Sequence, residues 1–199
     1  MELSQISCFV TIPRSNKKVM NRTNERNKEF FIESLFSLII KYDLNNISID
    51  DISRKAGFSR RSFYRHFSSK EELLAKAMER IVDDYSNILL AESDLSIKNI
   101  VKVFFHFWSK QLLVLKALER CNLLYTLLGT MNKKISEIYV LAKGESHEYG
   151  GQEDRDYVLA FSMGGLWNTL IHWIHNGARQ SPDEFAEVVD RVIRIISLK

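Results

Sequence analysis

Four side chains between positions 60 and 65 are of the types that bind nucleic acid. Arg60, Arg61 and Arg65 carry guanidinium groups, and Tyr64 carries a phenolic hydroxyl. At about 100° per residue, the four fall on one arc of roughly 140° of a helix, with Phe63 on the other side. Guanidinium groups bind phosphates and guanine edges in the major groove, which admits one helix. The pattern predicts a recognition helix, although an amphipathic helix with a solvated basic face has the same pattern.

The segment before this helix favours DNA binding. Ser48 followed by Asp51 is typical of a capping box, so a short helix is predicted over residues 49–56. Gly57 can adopt a left-handed conformation after that helix, and Ser59 can cap the basic helix. Two helices joined by a tight turn at this spacing form a helix-turn-helix motif.

Two further helices flank the motif, and the upstream one completes a predicted three-helix domain. Ser69 with Glu72 can cap a helix whose first turn contains Lys70, next to amide groups suited to a phosphate oxygen. Upstream, an apolar stripe predicts a helix from a cap at Asn24 to about Tyr42. We expect this first helix to pack over the two motif helices.

The motif resembles the N-terminal DNA-binding domain of TetR/AcrR-type regulators. The matching residues are Ile52, Ala56, Gly57, Ser59, Phe63, Tyr64, His66, Phe67, Lys70, Leu73 and Leu74. The resemblance implies that Tyr64, His66 and Lys70 contact phosphates. It also implies that the helix opened by Ser59 faces base edges with Arg60, Arg61 and Ser62.

Arg61 and Ser62 stand where the family usually has glycine and threonine. The added arginine predicts a guanine in each half-site. The predicted DNA-binding set is Ser48, Ser59, Arg60, Arg61, Ser62, Tyr64, Arg65, His66 and Lys70.

Composition predicts an all-α chain. The 199 residues include 8 glycines and 2 prolines, and apolar residues recur at three-four spacing rather than in alternation. The net charge of +3 is uneven. Residues 1–80 hold 15 Lys or Arg against 10 Asp or Glu, a net +5, which leaves −2 for residues 81–199. The basic part contains the motif, as phosphate binding requires.

The sequence gives little support for a membrane, metal-binding or enzymatic function. No apolar run reaches the ~18 residues of a membrane span, and no secretory leader is visible, so we expect a cytoplasmic protein. Cys8 and Cys121 lack paired spacing, and His172 and His175 have no nearby carboxylate or thiol ligand. No metal or cofactor site is predicted. No G-x-S-x-G, H-E-x-x-H, P-loop or G-x-G-x-x-G pattern indicates an enzyme.

The predicted organisation has three parts. Residues 1–20 are a flexible arm, residues 21–68 the helix-turn-helix DNA-binding domain, and residues 69–199 a larger helical regulatory and dimerisation domain. Residues 69–91 form its connector helix. Further helices are predicted over residues 95–108, with a cap at residues 92–94, and over residues 110–121, 123–143 and 157–176. A last helix follows a cap at Ser181, and residues 143–156 are predicted as a loop.

Bulky apolar side chains recur at helical spacing in the middle of the chain. Apolar stripes of this kind usually form the core of a protein. TetR-like regulatory domains often enclose an apolar ligand pocket among these helices, so the resemblance implies one here. The predicted pocket residues are Phe104, Trp108, Tyr125, Leu128 and Trp167.

The last two helices are apolar enough to need a partner. The resemblance implies a four-helix dimer interface, whereas a monomer would bury both helices internally. Two adjacent glycines inside a predicted helix suggest close approach of another helix. The predicted interface residues are Gly164, Gly165, Trp173, Phe185, Val189 and Val192.

Together these features predict a TetR-type homodimer that binds a palindromic operator. The first hypothesis is a repressor released by a small apolar or aromatic effector. The alternative is an activator or co-regulator of the same fold controlled by a protein partner. A third hypothesis, from another class, is an enzyme or ligand carrier with a vestigial motif.

Overall fold

The computed structural model describes residues 19–143 and 152–197, which form helices and connecting turns without any strand. The all-α prediction is confirmed. The helices are α1 Val19–Ile39, α2 Ile49–Ala56, α3 Arg60–Tyr64, α4 Lys70–Leu90, α5 Ile97–Ser109, α6 Leu112–Arg120, α7 Leu124–Lys143, α8 Gln152–His175 and α9 Pro182–Ser197. A short 3₁₀ turn, Leu44–Asn46, lies between α1 and α2.

Two predicted helix starts are wrong. Helix α1 begins at Val19, so Asn24 lies inside it and does not cap it. Helix α8 begins at Gln152, so the last part of the predicted 143–156 loop is helical, with Glu153 and Asp154 in the first turn. Carboxylates there are stabilised by the helix dipole, a signal that the polar composition concealed. Residues 1–18 of the predicted arm, with Cys8, and residues 144–151 of the loop lie outside the described residues.

The cap of α5 is also displaced from its predicted position at residues 92–94. Ser96 caps the helix, since its hydroxyl accepts a hydrogen bond from the Asn99 amide at 3.4 Å. Asp94 supports this cap from outside the helix by accepting from the Ser96 amide at 2.8 Å. The boundary therefore lies two residues beyond the predicted start at Leu95.

The chain forms two compact units that meet in sequence between Ala77 and Met78, inside α4. In the first unit, α1 packs on α2, and α2 packs on α3. Its buried apolar side chains are Phe31, Ile32, Leu35, Phe36, Ile39, Ile47, Ile52, Phe63, Phe67, Leu73, Leu74 and Ala77. The assignment of residues 21–68 to DNA binding and of 69–199 to regulation stays a prediction.

The second unit is built around α5, which packs on α9 and α8. Helix α7 packs on α8 and on α6. Helix α8 ends where Gly177 adopts a left-handed φ of 84°, and the Ala178 amide then donates to the Trp173 carbonyl at 2.9 Å. The Ser181 cap of α9 is confirmed, since its hydroxyl accepts from the Glu184 amide at 3.3 Å.

Among the residues that the structure describes, none of the helices is long and apolar enough to cross a membrane. Within the same residues, no cluster of three or more histidine, cysteine or carboxylate side chains is placed to bind a metal ion.

Candidate nucleic-acid interface

Phe31 on α1 holds the motif helices in place. Its ring centroid lies 5.5 Å from that of Phe63 and 6.0 Å from that of Phe67, with both pairs edge to face. Phe58, in the turn, lies 5.3 Å away. Burying rings of this size contributes roughly 1.5–3 kcal/mol each. The apolar side of α3 is thereby fixed against α1, and its other side is left exposed.

Local signals set the angle between α2 and α3. Ser48 and Asp51 form the predicted capping box, with the Ser48 amide 3.0 Å from an Asp51 carboxylate oxygen. These hydrogen bonds lower the pKa of Asp51. Gly57 adopts a left-handed φ of 78°. Ser59 then caps α3 by accepting from the Ser62 amide at 3.2 Å. Helix, turn and helix follow the predicted residues.

The exposed side of α3 presents the predicted cationic group. Arg60, Arg61, Tyr64 and Arg65 are all exposed. Arg60 Nη2 donates to the Tyr64 hydroxyl at 3.3 Å, and its guanidinium carbon lies 5.6 Å from the Tyr64 ring centroid. An arginine held over an aromatic ring is pre-oriented, so it loses less conformational freedom when it binds a phosphate or base edge.

Ser62 does not belong to this exposed side. It is only 5% exposed, and its hydroxyl accepts a hydrogen bond from Arg65 Nη2 at 3.0 Å. The prediction that Ser62 faces base edges is therefore wrong for this conformation, because its side chain is buried. Ser62 instead orients Arg65.

Lys70 is engaged within the protein. Its ammonium donates to the Leu44 carbonyl at 2.7 Å and to the Ile47 carbonyl at 2.9 Å. These bonds tie the start of α4 to the 3₁₀ turn. One of the three ammonium hydrogens is left for a phosphate, so a phosphate contact by Lys70 stays a prediction.

His66 lies between the exposed side and the core. Its ring packs near Phe31 and Phe67, and its Nε2 atom is buried without a hydrogen-bond partner. Burial lowers the pKa of His66, and the nearby charges of Arg65 and Lys28 lower it further. His66 is therefore neutral near pH 7, and only Nδ1 could reach a phosphate.

Two basic residues outside the predicted set lie at the end of α2. Arg54 and Lys55 are exposed, and Arg54 Nη2 lies 2.8 Å from an Asp51 carboxylate oxygen. Basic side chains in the last turn of a helix are often placed there by the helix dipole, so their sequence signal alone does not indicate DNA contact. They add positive charge to the unit that contains the motif.

In the second unit, the predicted effector cluster is partly assembled. Trp108 is fully buried, with its ring centroid 6.3 Å from Phe104 and 5.5 Å from Trp167. Leu128 is partly buried. Tyr125 is 85% exposed, so the prediction that it lines a pocket with the other residues is wrong. A residue in the first turn of α7 points outward, although its type suggested burial.

Two members of this aromatic cluster were not predicted, namely Phe107 on α5 and Tyr85 on α4. Their ring centroids lie 5.5 Å apart, and the Phe107 centroid lies 5.0 Å from that of Trp108. Burial raises the pKa of the Tyr85 hydroxyl well above its ordinary value. The indole N–H of Trp108 is buried and has no acceptor in the part of the chain that the structure describes. Buried donors normally have a partner, so this N–H can bind an acceptor on a ligand.

The predicted dimer residues divide between core and surface. Trp173 stacks on Phe185 with ring centroids 5.5 Å apart, and both are buried within the protomer together with Val189. Their assignment to an interface is wrong, because α5 covers this side of α8 and α9. Gly165 and Val192 are exposed, and Gly164 is partly buried.

The fold and this site define a helix-turn-helix DNA-binding protein, and comparison with known proteins identifies the family. Residues 31–77 match the model of bacterial regulatory proteins of the tetR family, and residues 96–194 match a transcriptional regulator C-terminal region. These two matches cover most of the chain. The chain belongs to the TetR family of transcriptional regulators, whose members bind DNA and are not enzymes.

Individual relatives match the chain over a short stretch or at low sequence identity. The chain is 37% identical over 67 residues to the uncharacterized HTH-type transcriptional regulator YwcC of Bacillus subtilis, a match covering 34% of this chain but only 29% of YwcC. A tetR-family regulator from Streptomyces coelicolor has a TM-score of 0.61 at 18% identity, covering 86% of this chain and 83% of that structure. The dihydroxyacetone kinase operon activator DhaS has a TM-score of 0.59 at 16% identity, covering 86% and 97%.

Proposed function

We propose that the protein is a repressor that binds a palindromic operator in the cytoplasm as a homodimer and is released by a small apolar or aromatic effector. The observation that carries this proposal is the exposed cationic side of α3 opposite a buried aromatic side. Arg60, Arg61, Tyr64 and Arg65 form one surface, and a helix bearing such a surface fits the major groove.

The dimer would form through an apolar surface of α8 and α9, which we call the α8–α9 face. It consists of the exposed residues Tyr157, Val158, Phe161, Gly165, Val192 and Ile195. Within the described residues α5 packs on both helices and α7 packs on α8, yet these apolar side chains stay exposed, so they need a partner from a second chain.

The two helical glycines support the same interface. A Cβ atom built at Gly164 or Gly165 would meet nothing within 4 Å in the protomer. Glycine inside a helix is nevertheless destabilising by about 0.5–1 kcal/mol relative to alanine. No neighbour among the described residues explains either glycine, whereas close approach of a helix from a second chain would.

The effector would bind at the aromatic cluster around Trp108. Phe104, Phe107, Trp167 and Tyr85 surround it with apolar surface, and the Trp108 N–H supplies one unpartnered donor. An apolar site with few polar groups is typical of small-molecule pockets. The proposed ligand is apolar or aromatic, with a hydrogen-bond acceptor.

Control would follow from a shift between two conformations. Helix α4 contributes Leu73 and Leu74 to the core of the first unit and Tyr85 to the aromatic cluster of the second. An effector that binds better to a state with a tilted α4 would favour that state and change the spacing of the recognition helices. Affinity for the operator would then fall.

The second candidate is an activator or co-regulator whose partner is a protein. The observation that favours it is the exposure of Leu113 on α6 and Tyr125 on α7, two large apolar side chains that do not belong to the α8–α9 face. In this case a protein bound to α6 and α7, rather than a small molecule, would control DNA binding.

Selection of bound sequences from random duplex DNA tests the proposed function. We expect an inverted repeat with two chains bound per site and a guanine in each half-site. Arg61→Ala is expected to relax selection at that guanine, because one bidentate contact is worth about 1–3 kcal/mol. Enrichment of a single half-site, or of no sequence, would contradict the proposal.

A repressor and a protein-controlled activator differ in a reporter assay with the selected site. For a repressor, deletion of the regulator raises reporter expression, and a small molecule does the same in its presence. For the second candidate, deletion lowers expression, and Tyr125→Ser removes control without loss of DNA binding.

A further inference from the structure

Among the residues that the structure describes, Arg155 on α8 has incomplete compensation of its charge. Its side chain is only 13% exposed, and its Nε atom is buried without a hydrogen-bond partner. Its guanidinium carbon lies 6.0 Å from the ring centroid of Tyr139 on α7. Buried arginines are normally paired and fully hydrogen-bonded, so this one calls for an explanation.

The carboxylate of Asp156 does not provide one. Asp156 Oδ1 lies 3.8 Å from Arg155 Nε, beyond hydrogen-bond distance. The same oxygen accepts a hydrogen bond from the Ser136 hydroxyl at 2.8 Å, and the Asp156 side chain is half exposed. Arg155 therefore retains a donor that Asp156 does not use.

The position of Arg155 around α8 faces the interior of the unit. At about 100° per residue, Leu170 and Trp173 lie within roughly 60° of Arg155, and both are buried. Tyr157 and Phe161 lie more than about 100° away on the proposed dimer face. The guanidinium is thus one charged group at the end of an apolar stripe, and a second chain on the α8–α9 face would not cover it.

We infer that Arg155 and Tyr139 form an oxyanion-binding subsite in the regulatory unit, which takes the carboxylate of a small amphipathic acid. The planar guanidinium can bind both carboxylate oxygens, and the tyrosine ring holds its plane. A phosphate monoester with an apolar chain also carries an oxyanion, so it is the other class of ligand that this subsite could bind. The inference goes beyond the proposed effector site, because Arg155 lies about 18 Å from Trp167 along α8 and the anion would bind at a separate place in the same unit.

The test is calorimetric titration of the purified full chain with three probes of equal chain length: octanoate, octyl phosphate and 1-octanol. We expect octanoate to bind at least tenfold more tightly than 1-octanol. Arg155→Met should remove this preference, and Arg155→Lys, which keeps the charge but not the planar fork, should retain part of it. Arg191→Met, which removes an exposed arginine of α9, is the matched control and should leave the preference unchanged.

Thermal unfolding without a probe gives an independent readout. If Arg155 is kept for a ligand, Arg155→Met should unfold at the same temperature as the native chain or higher, because an incompletely paired buried charge is removed. A fall of several degrees would show a structural role and overturn the inference. So would equal binding of octanoate and 1-octanol, or an unchanged preference in Arg155→Met. Tighter binding of octyl phosphate than octanoate would overturn the choice of carboxylate.

The titrations contain no DNA, so the two proposals can fail separately. A chain that binds its operator but shows no anion preference refutes the oxyanion subsite alone. A chain that binds octanoate through Arg155 but no specific DNA refutes the proposed repressor.

Discussion

Replacement of Phe161 by serine tests the proposed dimer. The Phe161 side chain is 80% exposed in the protomer, so a second chain could bury nearly all of it. Full burial of a phenylalanine side chain contributes about 1.5–3 kcal/mol, and two-fold symmetry counts it twice, so the variant should lose about 3–6 kcal/mol. At 1.4 kcal/mol per factor of ten, the dimer dissociation constant should rise roughly 10²-fold to 10⁴-fold.

The assay is sedimentation velocity over a range of protein concentrations, with operator binding measured in parallel. Tyr125→Ser is the matched control, since Tyr125 is an aromatic residue of similar exposure, 85%, on α7. We expect Tyr125→Ser to leave the dimer intact. An unchanged dissociation constant in Phe161→Ser, or equal weakening in Tyr125→Ser, would refute the assignment of the α8–α9 face.

Three further predictions concern single residues. Gly165→Ala should stabilise the dilute monomer by about 0.5–1 kcal/mol yet weaken the dimer, and a stabilised dimer in sedimentation would show that no helix approaches there. Gly57→Ala should lower the free energy of unfolding by about 1–2 kcal/mol in urea titrations, because φ is 78° and no clash adds to the cost; an unchanged midpoint would contradict this. In the folded protein the pKa of His66 lies below its ordinary 6.5, so the unfolded chain binds the proton at a higher pH than the folded chain does. The contribution of His66 to stability should therefore be full above pH 6.5. It should fall as the pH decreases from there through the folded-state pKa. His66→Gln should flatten that dependence in urea titrations at several pH values, and an equal slope in both proteins would show that His66 does not cause it.

The helix-turn-helix motif could be predicted because its signals are local. Ser48 and Ser59 accept hydrogen bonds from amides three residues ahead, and Gly57 satisfies a backbone requirement of its own position. None of these features depends on distant parts of the chain. Helix α1 shows the opposite case, since Asn24 is a good cap by type but lies inside a helix that starts at Val19.

The second unit was harder to predict because its helices are apolar on more than one side. Periodicity shows which residues share a side but not which side the chain itself covers. Trp173 and Phe185 were therefore assigned to a dimer interface although they stack on each other inside the protomer. The prediction that Tyr125 lines a pocket is wrong for a related reason, since its residue type suggested burial but its side chain is exposed. Arg155 had no sequence signal, because its burial depends on how α7 packs on α8.

The most direct test of the central claim is binding of the purified protein to the DNA immediately upstream of its own gene, titrated in salt against unrelated competitor DNA. We expect preferential binding that weakens steeply with salt and is lost in Tyr64→Ala, because Tyr64 and the arginine it orients lie on the exposed side of α3. Salt-dependent binding that does not distinguish this DNA from competitor, and that Tyr64→Ala leaves unchanged, would contradict sequence-specific recognition through α3.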